Sequence, residues 1–361
     1  MLALRILAFA FGVLIVAWVL DAAIRNFMLP RGSRVRMTLY IALAFGWVCD
    51  RVAPRTGSFH RRDKVMALRP AITLLLFQAV WLFLVFAGFS FILWGVGADD
   101  VDGAIRDSGS ALFTLGFATP NGPAPLGVVF AEAVIGLTLL ALLISYLPTI
   151  YAAFQRREFM VAKLAIRAGS PSSPWAALEI SHRTDSLRRM DESIWNEWEN
   201  WFIELGESHT SLPILTRYRS PDPENHWVSA ARTVLDLAAM RIAVVDEIAP
   251  VSAHVTIRSG TIALRDIADY FRFPYDPDPA PSDPISLTRV QFDAACRYLR
   301  SSGLPLVEDL DQAWIDFAGW RVNYDSIIEA AAWRFDAPPN PWDTVSQAEP
   351  PFPVRPEDES V

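Results

Sequence analysis

Apolar residues form a few long runs before position 155 of this chain and short periodic stripes after it. Pro70–Val96 is one such run, with Gln78 as its only strongly polar side chain. Leu126–Phe154 is another, with Glu132 as its only charge. Crossing a hydrocarbon core of ~30 Å takes about 20 apolar residues in a helix. Both runs therefore predict membrane spans. Leu2–Ile24, with Arg5 near one end and Asp21 near the other, predicts a third. A secretory leader has a more basic start and a better cleavage site than Asp21-Ala22-Ala23, so an uncleaved anchor is expected. The 12 residues Thr38–Cys49 would reach only roughly 18 Å as a helix. That run is too short to cross.

Charge orients these runs. Arg25, Arg31, Arg34 and Arg36 precede the short run, and Arg51, Arg55, Arg61, Arg62, Lys64 and Arg69 follow it. Basic residues in short loops mark the cytoplasmic side. With both flanks inside, Thr38–Cys49 reads as an amphipathic helix lying on anionic headgroups. Arg156, Arg157, Lys163 and Arg167 place the end of the last span inside as well. Asp99, Asp100, Asp102 and Asp107, against a single Arg106, suit an external loop. The expected topology is a multi-pass protein of the plasma or inner membrane, N-terminus outside, with three crossings and a cytoplasmic C-terminal half.

That half is a different material. Through Arg167 the chain has 16 basic and 9 acidic side chains, a balance of +7; beyond it the counts are 16 and 31, a balance of −15. Helices are predicted near Trp175–Leu205, Trp227–Glu247, Thr261–Phe271, Leu287–Ser302 and Glu308–Phe335. Trp195, Trp198 and Trp201, joined by Ile194 and Phe202, form a stripe at helical spacing that reads as core. Ala253–Arg258 is the best strand candidate. The tail from Asp336 is rich in proline and acid and is expected to be disordered. Four regions result: 1–69, an anchor and interfacial basic segment; 70–154, a membrane domain; 155–335, a helical cytoplasmic domain; 336–361, a tail. The expected fold class is all-α throughout.

Little chemistry of other kinds is visible. Cys49 and Cys296 lie far apart in unlike regions and suggest no disulfide framework. His182, His209, His226 and His254 are scattered without metal spacing, so no catalytic or metal set can be named. The acidic C-terminal half carries no nucleic-acid footprint, and no Gly-rich phosphate loop is present. Arg217, Arg219 and His226 could hold an anion, with salt bridging to the many carboxylates as the competing reading.

The segment between the last two spans carries the functional signal. Asp102–Phe113 has helical character, with Asp100 or Asp102 available to cap it. Thr114-Leu115-Gly116-Phe117-Ala118 follows, then the turn-rich Thr119-Pro120-Asn121-Gly122-Pro123. Non-helical backbone at membrane depth is tolerated only where it is buried in protein or lines water. Potassium selectivity comes from rings of backbone carbonyls that replace the ion's hydration shell. Aiming successive carbonyls at one axis needs left-handed backbone, which favours glycine.

The order helix, short helix, Thr-Leu-Gly-Phe, helix resembles the two-helix pore module of the potassium channel family, whose filter reads Thr-Val-Gly-Tyr-Gly or Thr-x-Gly-Phe-Gly. The resemblance covers about Pro70–Tyr151. It implies a homotetramer in the lipid bilayer, with Thr114, Leu115, Gly116, Phe117 and Ala118 as ion-binding filter residues and a monovalent cation, potassium first, as the permeant ion. No cofactor is implied. Ala118 replaces the family's second glycine, and a left-handed alanine would cost roughly 1–2 kcal/mol per subunit. Glu132 is expected either to brace the short helix, at Ser108 or Ser110, or to face the cavity. Gly136 could bend the last span or simply pack; Pro148 could shape a gate or end the span. A non-conducting, channel-like receptor or scaffold, whose soluble half binds an unknown partner or ligand, is the alternative.

Overall fold

The computed structural model describes residues 2–27, 36–97, 100–187 and 190–347. Arg31, Arg34, Asp99 and the tail beyond Gln347, which entered the expectations above, lie outside them. Two compact units divide near Ala152 and Ala153, and the described residues hold helices and no strand.

The first unit contains α1 (Leu2–Phe27), α2 (Arg36–Val52), α3 (Phe59–Val96), α4 (Val101–Leu112) and the start of α5 (Pro123–Ala168). Three of these, α1, α3 and α5, are long and apolar enough to cross a membrane. The 17-residue α2 is not among them. α3 runs without interruption through Pro70, so Arg61, Arg62, Lys64 and Arg69 are part of the same helix. α1 packs mainly on α3. Small residues permit the approach: a Cβ on Gly12 would come within 2.4 Å of the Gly88 carbonyl. Association between apolar helices relies on such close backbone contact, because burying leucine gains nothing in lipid. Val16, Val19, Trp81, Val85 and Phe89 fill the seam.

The second unit continues from α5 through α6 (Pro174–Arg183), a π turn at Met190–Ile194, α7 (Trp195–Ser211), a 3-10 turn at Pro213–Arg217, α8 (Trp227–Ala243), α9 (Val251–Phe271), α10 (Arg289–Ser301), α11 (Leu310–Arg321), α12 (Asp325–Phe335) and a second 3-10 turn at Pro341–Gln347. α8 is buried on nearly every face, and α6, α9, α11 and α12 pack around it. The tryptophan stripe is core, with Trp195, Trp198 and Trp201 all buried.

Four expectations are corrected. Ala253–Arg258 is helical: Ala253, Thr256, Ile257 and Gly260 recur at helical spacing on the buried face of α9, and this packing overrides β propensity. The helix placed over Trp175–Leu205 is two helices. Asp185 is left-handed (φ 47°), and the N–H groups of Asp185 and Ser186 bond back to His182 and Ser181. That is the Schellman closure of a helix C-terminus. Glu308–Phe335 likewise breaks after Arg321, where the Asn323 amide donates to the Gly319 and Trp320 carbonyls. Finally, the tail does not begin at Asp336. Trp342 is buried, and its indole N–H donates to Asp236 at 2.7 Å.

Asp236 is the hub of a buried network. It also accepts from the Tyr324 hydroxyl at 2.9 Å and from Arg321, whose Nε donates to Asp325 at 2.8 Å. Asp325 in turn takes the backbone N–H and hydroxyl of Ser286. Four elements are thereby tied to α8.

Candidate functional site

α4 begins with an aspartate because its first N–H groups have no helical partner. Asp100 Oδ1 accepts the Gly103 N–H at 2.7 Å. Two serines, two residues apart and on different sides of α4, then fix its surroundings. Ser108 Oγ lies 2.5 Å from Glu132 Oε1 on α5 and 3.1 Å from the Phe86 carbonyl on α3. Ser110 Oγ donates to the Ala118 carbonyl at 2.9 Å and accepts the Ala118 N–H at 3.0 Å. Of the two serines considered as partners for Glu132, Ser108 is the one it meets. Glu132 is fully buried, and its second carboxylate oxygen makes no hydrogen bond.

Gly136 follows one turn after Glu132. A Cβ there would lie 2.7 Å from Leu112 Cδ1 and 3.1 Å from the Leu112 carbonyl. The missing side chain lets α5 sit on the C-terminal end of α4, which is a packing role. Pro148 stands inside α5, which continues for 20 residues to Ala168, so it does not end the helix.

The chain leaves α4 through a second Schellman closure. Thr114 N–H bonds to Ala111 at 3.0 Å, and Leu115 N–H bonds to Ser110 at 2.9 Å. Thr114 takes the left-handed position (φ 53°) that glycine usually fills, and its hydroxyl donates to the Phe113 carbonyl at 2.8 Å. A β-branched residue there is a real outlier. Gly116 is left-handed too (φ 71°), while Leu115 and Phe117 are not. Ala118 is not left-handed, so the strain expected at that residue is absent. Ser110 holds both of its backbone groups instead.

Between these fixed ends the loop is open. Leu115 and Phe117 are 64% and 65% exposed. The carbonyls of Thr114, Leu115, Gly116 and Phe117 accept no hydrogen bond from the described residues. Phe130, Val134, Leu137, Ile144 and Tyr151 give α5 an exposed apolar face. Thr114–Ala118, Glu132 and Gly136 thus sit around α4, and Pro148 stands apart on α5. Missing from the sequence reading were the Ser110–Ala118 pairing and the Leu112–Gly136 contact. A small residue at 136 and a serine eight positions before Ala118 were the only signals.

In the second unit, Arg217 and Arg219 reach the end of α12. Their guanidinium groups donate to the Arg334 and Asp336 carbonyls, ending α12 where cations are favoured. His226 caps α8, its Nδ1 accepting the Val228 N–H at 3.2 Å. Burial first, and then the charge of Arg219, push His226 well below the ordinary histidine range. His209 is lowered by burial and by Arg157, whose Nη1 lies 3.3 Å from its ring.

No family model, curated protein or solved structure matches the chain.

Proposed function

We propose that the chain is a subunit of a tetrameric cation channel, conducting potassium, with Thr114–Ala118 as its filter. The observation that carries this reading is the run of four unbonded carbonyls. Their residues are exposed in a single copy; at membrane depth, away from water, each unpaired carbonyl would cost several kcal/mol. Carbonyls left open beside apolar helices need something from outside the chain. A dehydrated cation on a closed symmetry axis supplies it, with one quarter of each ring from each copy.

The surrounding geometry fits that use. Ser110 fixes the outer end of the loop, the α4 closure fixes the inner end, and Glu132 braces α4 from behind. Other copies would cover Phe117 and the exposed face of α5. In this arrangement Pro148 is placed to shape a gate, and the acidic residues before α4 would concentrate cations at the outer mouth.

The helix-ending role of Thr114 favours one other reading, a channel-like receptor that does not conduct. Purified full-length protein in potassium-loaded liposomes separates the two. Potassium-selective flux from tetramers is expected. Intact tetramers without flux would select the receptor, and a monomer in detergent and lipid would remove both.

A further inference from the structure

α7 and α9 lie side by side, close enough that a Cβ on Gly206 would sit 3.2 Å from Ala263 Cα. Above that contact the helices diverge into an open groove of about 330 Å³. Its lining is apolar at the centre: Phe202 is buried, and Ile203 on α7 and Ile262 on α9 both line it, 53% and 50% exposed. Its rim carries Glu199, Glu207 and Asp266, against one cation, Arg258. None of these four makes an ion pair within the described residues. The carboxylates repel each other as well, for Asp266 is raised above the usual range by partial burial and by Asp269 and Glu207. Neighbouring carboxylates on this surface are answered internally, Glu197 by Lys163 and Glu204 by Arg156. The groove is where that neutralisation stops.

We propose that this groove docks a basic amphipathic helix from a partner protein, an apolar side chain seated between Ile203 and Ile262 and flanking lysines or arginines on Glu199, Glu207 and Asp266. An apolar helix face laid into an apolar groove, read at spacings of three and four, is a recurrent recognition mode. Matching charges around it set orientation and speed of encounter. The acidic rim repels anionic lipid surfaces and nucleic acid. The inference does not rest on the pore reading.

The test uses full-length protein in detergent and a fluorescent leucine–lysine helical peptide, about four turns long, read by anisotropy. Saturable binding that weakens with salt is expected, and none for the leucine–glutamate counterpart. Reversing the rim with Glu207→Lys and Asp266→Lys should weaken binding at least about tenfold. Ile262→Asp is the sharper variant, because it adds negative charge while spoiling the apolar lining. General attraction to an acidic protein would strengthen its binding; docking in the groove requires a loss of about tenfold or more. Asp276→Lys with Asp278→Lys, in the loop after α9, should change little. No binding, equal loss from the loop variant, or tighter binding by Ile262→Asp would each overturn the proposal.

Discussion

Both units bury some side-chain polar atoms without a hydrogen bond, Arg232 Nε and Thr261 Oγ1 in the second among them; they differ in whether a large network closes. In the second, Asp236, Arg321, Tyr324, Asp325 and Trp342 satisfy one another and join distant segments into a closed core. In the first, Gln78 is buried with neither amide atom bonded and Glu132 keeps one oxygen unpaired, while four loop carbonyls, exposed in a single copy, accept nothing from the described residues. A polar network that closes on itself specifies a fold. One left open points outside the chain, to water, ions or further copies. The contrast is sharpened by the exposed apolar residues, which line α1 and α5 of the first unit almost continuously.

The largest effect that would test the comparison is at the hub. Asp236→Ala leaves the fully buried Arg321 with Asp325 as its remaining carboxylate partner and orphans the Tyr324 hydroxyl and the Trp342 indole, and breaking such a pair costs about 3–5 kcal/mol. Denaturant unfolding of the full chain should show that loss. A change below about 1 kcal/mol would mean the network is not what closes the unit.

Acid should act on the second unit next. His209 and His226 are depressed in the folded state, so the unfolded chain binds their protons first. Stability is full above the ordinary histidine value of about 6.5 and falls as pH drops below it. Each proton so refused costs about 1.4 kcal/mol per pH unit. The midpoint of unfolding, followed from pH 7.5 to about 5, should fall steadily. His226→Gln should flatten the lower part of that curve; an unchanged slope would place the sensitivity in other groups.

These residues also show what a sequence can and cannot convey. The three long apolar helices, the capped helix α4 and the tryptophan core were legible because each depends on local pattern. The helix breaks at Asp185 and Asn323 were not, because no glycine or proline marks them. Non-glycine residues at positive φ, namely Thr114, Asp185, Arg272 and Asp336, each close a helix here. The Asp236 network was illegible for another reason. Its members are up to 106 residues apart and only folding brings them together. The proline-rich, acidic composition around Trp342 pointed the wrong way, since one buried indole with a good acceptor outweighs it.

The open side of the comparison can be broken at Ser110. Ser110→Ala removes both bonds to the half-buried Ala118 backbone, at about 1 kcal/mol for each. Ion selectivity should drop while tetramers and the denaturant profile of the second unit persist. Ser110→Thr, which keeps the hydroxyl, should recover part of it. Selectivity unchanged in Ser110→Ala would argue that the loop does not bear the ions.

The smallest effect is the most discriminating. A filter strained at Ala118 would be improved by Ala118→Gly, but Ala118 is not left-handed, so the change should shift potassium over sodium hardly at all. The strained residue is Thr114. Thr114→Gly relieves a left-handed β-branched position of roughly 1–2 kcal/mol, and so should make α4 more protected in hydrogen exchange. The same change deletes the hydroxyl at the inner end of the loop. If Thr114 only ends a helix, Thr114→Gly stabilises the protein and leaves flux alone. If it also faces the ion, stability rises while selectivity falls, and that divergence is the expected result.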